Sequence, residues 1–308
     1  MASRLSSNKY FIRQLLKEEG LPTPRTITLR SRSAWPTVVK SSLRFPLVVK
    51  PSNASHANGA SLNLQTPEEL GAAVHRAFNY IKKRSSIKRV LVEEYFEGHD
   101  LRFFVVQNTV VSVVKRDPAY VIGDGHSTIR QLIHQFNDQW QSPIKYDLPL
   151  CPIPIDNEVS RCLSKSGHSL TFVPAENEKI YLRWNANVST GGRPMDVTDS
   201  VHPHIKQLAI RVAALSKLEV SGVDILCKNF RKDDISANNI SILEVNDSPG
   251  FDIHHFPISG TGRNVTGAIL DHVFKIAPSP LPLVAPARKN MSFISVPERS
   301  FQTQRGVR

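Results

Sequence analysis

The sequence has little cysteine and no long apolar run. Its 308 residues contain three cysteines, Cys151, Cys162 and Cys227, which form neither a CxxC pair nor an even-numbered set. This spacing argues against a disulfide scaffold and a cysteine-based zinc site, and it favours buried free thiols in a reducing cytoplasm. No stretch approaches the roughly 20 apolar residues that span a bilayer. We therefore expect a cytoplasmic chain with no membrane partner.

Acidic residues are scarce at both ends of the chain. The formal net charge is +12, of which residues 1–50 contribute +8 and residues 276–308 contribute +4. The middle, residues 51–275, is balanced, with 24 residues of each sign. A nucleic-acid-binding protein usually carries its basic excess on the folded working surface. We favour solvated faces and a loose tail as the interpretation, and nucleic acid is not an expected partner.

Apolar periodicity divides the chain into the helices and strands of an α/β (α+β) protein. Apolar residues at helical spacing, bounded by caps, glycine and proline, predict helices at 8–19, 66–83, 128–136, 203–215 and 265–274. Short apolar runs predict strands at 45–51, 89–96, 101–106, 110–114 and 180–182, with an antiparallel pair at 222–226 and 240–246. Residues 137–180 are expected to be less regular.

Three oxygen-bearing side chains lie on the predicted antiparallel pair. Asp224 lies within or at the end of one strand, and Glu244 and Asn246 share one face of the other. Oxygen ligands on adjacent strands suit Mg²⁺, which keeps water or phosphate oxygens at its other positions. A polar strand end at the surface is the alternative, since alternating Glu-Val-Asn is common. The pattern on its own leaves both interpretations open.

Two further patterns point to nucleotide contacts. Lys50 ends an apolar strand and precedes Pro51 and a loop of small residues, whose backbone N–H groups can approach phosphate oxygens. Glu93 ends another strand and is followed by a turn to Asp100, where backbone groups and a carboxylate can meet an adenine edge and ribose hydroxyls. A solvated strand-end lysine and an ordinary turn are the alternatives.

The order of these motifs resembles that of ATP-grasp enzymes. Within them, residues 5 to about 274 are most similar to the ATP-grasp domain of cyanophycin synthetase and of the bifunctional glutathione synthetases. The segments that carry the similarity are Asn8-Lys9, Phe45 to Pro51, Val90 to Asp100, Val223-Asp224 and Leu243 to Gly250, with further runs at 100–102, 115–129, 173–174, 181–192 and 202–203.

This resemblance implies an ATP-grasp fold of two lobes with the nucleotide between them. The N-terminal lobe is expected at 1–90, with the first helix, the phosphate-lysine strand and a lid loop at 52–61. The C-terminal lobe is expected at 91–275, with a family-type insertion at about 118–180. Residues 276–308 are expected to form a disordered, basic, proline-rich tail.

The resemblance also implies roles for individual residues. The ATP-binding residues would be Lys9, Lys50, Ser55, Gly59, Glu93, Glu94, Phe96 and Asp100. The metal ligands would be Asp224, Glu244 and Asn246. The catalytic residues would be Arg116 and Arg183, and the residues near the substrate would be Arg102, Asn187, Ser189, Gly191 and Gly192. Val223 precedes Asp224 where some ligases of the superfamily have arginine, and we expect Arg183 to supply that charge.

The implied activity is the joining of a carboxylate to an amine through an acyl phosphate, with ATP and Mg²⁺ as cofactors and Mn²⁺ as an alternative ion. The substrates would be a small-molecule or peptide carboxylate and an amine. A further domain usually precedes the ATP-grasp segment in such enzymes, so we expect a homo-oligomer or a partner chain to supply it. The alternative function is an ATP-binding subunit or regulator without ligase activity of its own.

Four histidines occur as two close pairs, His202 with His204 and His254 with His255. No cysteine or acid lies beside them in a pattern that predicts a metal site. We interpret them as surface or substrate-pocket histidines.

Overall fold

Except for the side chains of Lys9 and Lys82, the computed structural model describes residues 9–52, 59–82, 89–139 and 150–274. Ser55, most of the lid expected at 52–61 and the tail expected at 276–308 lie outside these ranges. None of the helices in the described part is long and apolar enough to cross a bilayer.

Eight α-helices and eleven strands follow one another along the described ranges. The helices are α1 Lys9–Glu18, α2 Trp35–Val39, α3 Pro67–Lys82, α4 Ile129–Gln139, α5 Asn157–Lys165, α6 Pro203–Leu215, α7 Asp252–His255 and α8 Val265–Phe274. The strands are β1 Thr26–Leu29, β2 Leu47–Pro51, β3 Ser61–Leu64, β4 Val90–Glu94, β5 His99–Val106, β6 Thr109–Asp117, β7 Tyr120–Ile122, β8 Lys179–Tyr181, β9 Arg193–Asp196, β10 Val220–Cys227 and β11 Ile240–Asn246.

The first sheet has four antiparallel strands in the order β1–β4–β2–β3. Helix α3 packs on it, and the core between them includes Val49, Leu70, Val74 and Val92. Alternation along β2 produces this arrangement, because every second side chain points to the same face. Strand β4 of this sheet extends to Glu94, past the lobe boundary expected at residue 90.

The second sheet has five antiparallel strands in the order β11–β10–β5–β6–β9. One face is apolar: Phe103, Val223 and Ile225 form a core with side chains of α1 and α6 such as Leu16 and Ile205. Because strand side chains alternate between faces, the opposite face presents the intervening residues of β5, β6, β10 and β11. Several of those residues are charged.

Among the described residues, 119–139 and 150–182 form a smaller unit beside the second sheet. Strands β7 and β8 pair with each other, and α4 and α5 pack around a separate apolar core. This unit coincides with the region expected as an insertion at about 118–180.

The capping residues explain where two helices begin. Thr66 Oγ1 accepts the N–H of Glu69 at 3.2 Å, and the Glu69 carboxylate accepts the N–H of Gln65 at 2.7 Å, which together cap α3. Asp156 caps α5, because its Oδ1 accepts the N–H groups of Glu158 and Val159 at 3.0 and 3.1 Å.

Most of the predicted elements are confirmed. The helices expected at 8–19, 66–83, 203–215 and 265–274 are observed to within one residue at each end, and β10 and β11 pair antiparallel. The prediction of irregular structure across 137–180 is wrong at α5. Strands β1, β3, β7 and β9 were not predicted, because each has only three or four residues and depends on its neighbouring strand for stability.

Candidate active site

The three predicted metal ligands come together on the charged face of the second sheet. Asp224 lies opposite Glu244 in the register of β10 and β11, and Asn246 lies opposite Gly222. The Asn246 amide donates to Glu244 Oε1 at 3.5 Å. Asp224 is 4% exposed, whereas Glu244 and Asn246 are half-buried. Adjacent strands therefore present three oxygen-bearing groups to one region.

Two arginines hold Asp224 from the neighbouring strands. Arg102 of β5 makes a two-pronged contact: its Nη2 lies 2.8 Å from Asp224 Oδ2, and its Nε contacts Oδ1. Arg116 of β6 lies 3.3 Å from Asp224 Oδ2 and 2.5 Å from Asp100 Oδ1. We call Asp100, Arg102, Arg116, Asp224 and Glu244 the metal-side cluster. It contains three acids and two arginines.

Burial and neighbouring charges set the protonation of this cluster. Burial raises the pKa of Asp100, and the charge of Asp224 raises it further, against the opposing effect of Arg116. Burial alone would lower the pKa of Arg116, but Asp100 and Asp224 raise it above the ordinary arginine value. Arg116 is therefore a permanent cation next to Asp224.

Gly222 is a site residue that the sequence analysis missed. A Cβ atom there would lie 2.9 Å from Pro249 Cβ and 3.2 Å from Arg102 Cδ. The Arg102 side chain thus passes over the space that any larger residue at 222 would fill. A glycine inside a predicted strand was the available signal, because such glycines often mark a close approach.

A second charge cluster lies where α1 meets both sheets. The Glu93 carboxylate accepts from Arg13 Nη2 at 2.9 Å and lies 2.7 Å from Lys50 Nζ. Arg13 also donates through Nη1 to the carbonyl oxygen of Ile242 in β11, at 2.6 Å. We call Arg13, Lys50 and Glu93 the phosphate-side cluster. Arg13 joins α1, the first sheet and the second sheet through one side chain.

Glu93 is 2% exposed and both of its oxygens are engaged. Burial alone would raise its pKa, but Arg13 and Lys50 lower it below the ordinary value of 4.5. The carboxylate therefore stays charged and fixes the direction of Lys50. Arg13 was missed by the sequence analysis because a basic residue beside Ile12 in an amphipathic helix ordinarily faces water.

The connection from Glu94 to Gly98 joins the two sheets. Glu94 donates its N–H to the carbonyl of Arg25 at 3.1 Å, and its carboxylate accepts the N–H of Arg44 at 3.0 Å. Phe96 is half-buried beneath Lys228, whose Nζ lies 5.3 Å from the ring centroid. The predicted adenine-side residues thus lie between the sheets.

The remaining predicted ATP-binding residues are less completely described. Lys9 is the first residue of α1, but its side chain is outside the described part, and Ser55 is wholly outside it. Gly59 has φ +71°, and a Cβ there would lie 3.0 Å from Tyr80 Cγ. Its backbone conformation and its close packing both favour glycine at that position.

Arg183 has a different partner from the one expected. Its Nη2 lies 2.5 Å from Asp156 Oδ2, on the residue that caps α5. Burial alone would raise the pKa of Asp156, but Arg183 lowers it. The contacts with Asp224 come from Arg102 and Arg116 rather than from Arg183, and the charge expected from Arg183 stays a prediction.

The predicted substrate loop leads into β9, the neighbour of Arg116 in β6. Ser189 lies exposed in a single turn of 3₁₀ helix. Gly191 and Gly192 follow it, and Gly191 has φ +90°, a conformation that favours glycine. The Asn187 side-chain nitrogen is buried and has no hydrogen-bond partner among the described residues. The loop therefore contains one buried amide donor that no described residue satisfies.

His254 is fully buried, so of the two places expected for it, the surface and a substrate pocket, the surface is wrong. Its Nδ1 lies 2.8 Å from Ser112 Oγ, and its ring packs edge-on against Phe104. Burial lowers the pKa of His254 well below 6.5, and Arg102 and Arg116 lower it further. His254 is therefore neutral and packs beside the metal-side cluster.

Comparisons with known proteins identify relatives of this chain. The family model described as D-ala D-ala ligase C-terminus matches residues 15–128. Cyanophycin synthetase of Trichormus variabilis is 34% identical over 270 residues, which cover 88% of this chain and 29% of that protein. The glutathione biosynthesis bifunctional protein GshAB of Clostridium perfringens is 32% identical over 272 residues, covering 88% of this chain and 34% of that protein.

A solved structure shows the same fold. The crystal structure of a bifunctional glutathione synthetase from Pasteurella multocida aligns with a TM-score of 0.58 and 27% identity, over 89% of this chain and 37% of that one. The chain spans about a third of the length of the curated relatives it matches. By sequence and by fold, this chain belongs to the ATP-grasp superfamily and is homologous to the matching segments of cyanophycin synthetase and GshAB.

Proposed function

We propose that this chain is an ATP- and Mg²⁺-dependent ligase that joins a carboxylate to an amine through an acyl phosphate. The observation that carries the proposal is the shared face of Asp224, Glu244 and Asn246 beside two fixed arginines. This arrangement combines oxygen ligands for a divalent ion with permanent positive charge for phosphate oxygens.

The donor set fits Mg²⁺. All three groups offer oxygen, and the half-buried Glu244 and Asn246 leave room for water and phosphate at the other coordination positions. The Arg116 contact with Asp224, at 3.3 Å, is longer than the 2.8 Å Arg102 contact. We therefore expect a bound ion to displace the Arg116 contact before the Arg102 contact. When bound, Mg²⁺ would neutralise triphosphate charge during γ-phosphoryl transfer.

We propose that the nucleotide lies between the sheets, against the connection 94–98. Lys50 would leave Glu93 and contact the phosphates, and Lys9 would be a second phosphate contact. Glu93 would limit how far the Lys50 side chain moves. Arg116 contacts Asp100 through Oδ1 alone, so among the described residues Oδ2 is the oxygen left for a ribose hydroxyl. Ser55 and Gly59 would close over the phosphates.

The reaction proceeds in two transfers. A substrate carboxylate oxygen attacks the γ-phosphorus, the bond to the β–γ bridging oxygen breaks, and ADP leaves. An amine nitrogen then attacks the acyl carbon, phosphate leaves with the bonding electrons, and the amine loses a proton. Arg116 would stabilise the transferred phosphoryl group. Asn187 and the neighbouring loop residues would orient the substrate.

Phosphate release from Mg-ATP tests the proposal. The full chain is assayed against pools of carboxylates, amino acids and short peptides, with Asp224→Ala and Lys50→Ala as inactive variants. Exposed residues on α1 give matched controls, Glu18→Gln for the acid and Lys17→Ala for the lysine. We expect release that requires one carboxylate and one amine, and that both inactive variants abolish.

Two results would count against a ligase. ATP binding without release from any pool would favour an ATP-binding subunit or regulator. Failure to bind ATP would overturn the nucleotide site itself. The substrate pools of the same assay identify the carboxylate and the amine. An oligomer or a partner chain that completes the pocket is part of this proposal.

A further inference from the structure

A cluster of two histidines and one acid lies outside the site described above. His202 and His204 flank Pro203 at the start of α6, and Asp233 lies in the segment 228–239 between β10 and β11. One ligand atom from each side chain lies within 4.8 Å of the other two. His204 Nδ1 is 2.6 Å and His202 Nδ1 is 3.7 Å from Asp233 Oδ1.

We propose that His202, His204 and Asp233, the histidine site, bind a transition-metal ion of the Zn²⁺ type. Zn²⁺ takes imidazole nitrogen and carboxylate oxygen at about 2.0–2.2 Å in tetrahedral geometry, which separates ligand atoms by about 3.3 Å. The two nitrogen–oxygen distances here lie on either side of that value. Two imidazoles also distinguish the histidine site from the all-oxygen set that suits Mg²⁺.

Exposure leaves a coordination position for water. The side chains of His204 and Asp233 are 53% and 55% exposed, and that of His202 is 28% exposed. Three protein ligands and one open position are common for zinc in proteins. The third ligand, the Asp233 carboxylate, lies beside both histidines and would offset part of the ion's charge.

The backbone around the histidine site is fixed before any ion binds. His202 donates its N–H to the carbonyl of Phe230 at 2.8 Å, which ties the start of α6 to the segment 228–239. Within that segment the buried Asn239 donates to the carbonyl of Asp234 at 2.7 Å and accepts the N–H of Asn229 at 2.8 Å. Asp233 is therefore held next to both histidines by bonds that do not involve the ligand atoms.

Ion binding would replace one long hydrogen bond and one short histidine–aspartate contact. His202 Nδ1 accepts the N–H of His204 at 3.3 Å, a long hydrogen bond, and His204 Nδ1 shares a contact with Asp233. A coordinated ion takes up both nitrogens and the carboxylate in exchange. A surface histidine–aspartate ion pair without metal is the competing explanation, and it is the outcome that the following experiment distinguishes.

Cobalt and zinc binding test the proposal. The full chain, free of an affinity tag and stripped with chelator, is titrated with Co²⁺ in excess Mg²⁺, so that the oxygen ligands are already occupied. Visible absorption follows Co²⁺, and Zn²⁺ is then added to displace it. Variants His204→Ala and Asp233→Asn remove one ligand each. His126→Ala is the matched control, because His126 is an exposed histidine paired with an aspartate at 3.3 Å elsewhere.

We expect one equivalent of Co²⁺ with a nitrogen-ligand spectrum, displaced by Zn²⁺, and affinity reduced at least about 100-fold in both ligand variants. Zn²⁺ should also raise the melting temperature of the parent chain and of His126→Ala, but not of His204→Ala. The proposal is overturned if the parent chain takes up no stoichiometric ion, or if the ligand variants bind as tightly as the parent.

Discussion

The phosphate-side and metal-side clusters differ in the sign of the charge in excess. Among the described side chains, the phosphate-side cluster has two cations around the single acid Glu93. The metal-side cluster has three acids around two arginines. A ligand such as Mg-ATP has both signs, so it can satisfy both clusters at once. Each cluster alone suits only one part of that ligand.

The clusters also differ in how they are built. The metal-side cluster lies on one face of one sheet, where strand register brings its members together. The phosphate-side cluster draws on α1, β2 and β4, and Arg13 extends it to β11. We therefore expect substitutions in the first to change chemistry most, and substitutions in the second to change stability as well.

The largest expected effect is loss of turnover in Asp224→Asn. The variant keeps the side-chain volume but removes the negative charge that a divalent ion and the two arginines share. We expect phosphate release to fall about 10²- to 10³-fold, the scale for a lost electrostatic contact in a transition state. Steady-state phosphate release measures it, with Glu18→Gln as control. Turnover within threefold of the parent would contradict the assignment of Asp224 as a metal ligand.

The next effect is loss of stability in Arg13→Met. Methionine keeps much of the apolar stem but removes one of the two cations that contact the buried Glu93, and it leaves the Ile242 carbonyl without this donor. Breaking a buried ion pair from one side costs about 3 kcal/mol or more. Urea unfolding followed by circular dichroism measures the free energy. Adding Glu93→Gln should recover part of the loss, and a variant as stable as the parent would contradict the bridging role of Arg13.

A smaller effect is expected for Gly222→Ala. The new Cβ would lie 2.9 Å from Pro249 Cβ, so that contact must open, and 3.2 Å from Arg102 Cδ, so the Arg102 side chain must shift slightly where it holds Asp224. We expect turnover to fall about 10-fold, equivalent to about 1.4 kcal/mol. Phosphate release gives the rate, and unfolding gives the stability. Gly20→Ala is a weaker control, since it meets no atom within 4 Å but has φ +64°.

The smallest effect concerns acid stability. The pKa of Glu93 is lowered in the folded protein, so its stabilisation is present above the ordinary carboxyl value of 4.5 and is lost as pH falls through the folded value. Glu93→Gln should flatten the fall in stability below about pH 4.5. The pKa of Asp100 is shifted upward instead, so Asp100→Asn should not flatten it. Urea unfolding at a series of pH values compares the two, and equal slopes in both variants would contradict the difference.

Sequence patterns anticipated the metal-side cluster better than the phosphate-side cluster. A spacing of two places Glu244 and Asn246 on one face, and an antiparallel partner brings Asp224 opposite, so period and pairing were sufficient to bring these three side chains together. The roles of Asp100, Arg102 and Arg116 came from the family resemblance. Arg13 was not predicted, because its partners are 80 and 229 residues away and only tertiary packing brings them together. The local pattern of α1 favours a solvent-facing arginine.

Contacts between residues distant in sequence were also missed at Arg183 and α5. Arg183 was assigned by family position, whereas its partner Asp156 is determined by the cap of a helix that the sequence analysis did not find. Helix α5 has nine residues and derives its position from packing on the small apolar core formed within residues 119–139 and 150–182. Local propensity is a weak guide for so short an element, since tertiary packing supplies most of its stability.

The Mg²⁺ dependence of nucleotide binding tests the two-cluster account most directly. Calorimetry with a non-hydrolysable ATP analogue, with and without Mg²⁺, is compared for the parent chain, Asp224→Ala and Lys50→Met, with Glu18→Gln and Lys17→Met as controls. We expect Asp224→Ala to lose only the gain that Mg²⁺ provides, and Lys50→Met to bind more weakly under both conditions while keeping the gain. If both variants lose affinity equally and show the same response to Mg²⁺, the division into a phosphate side and a metal side is wrong.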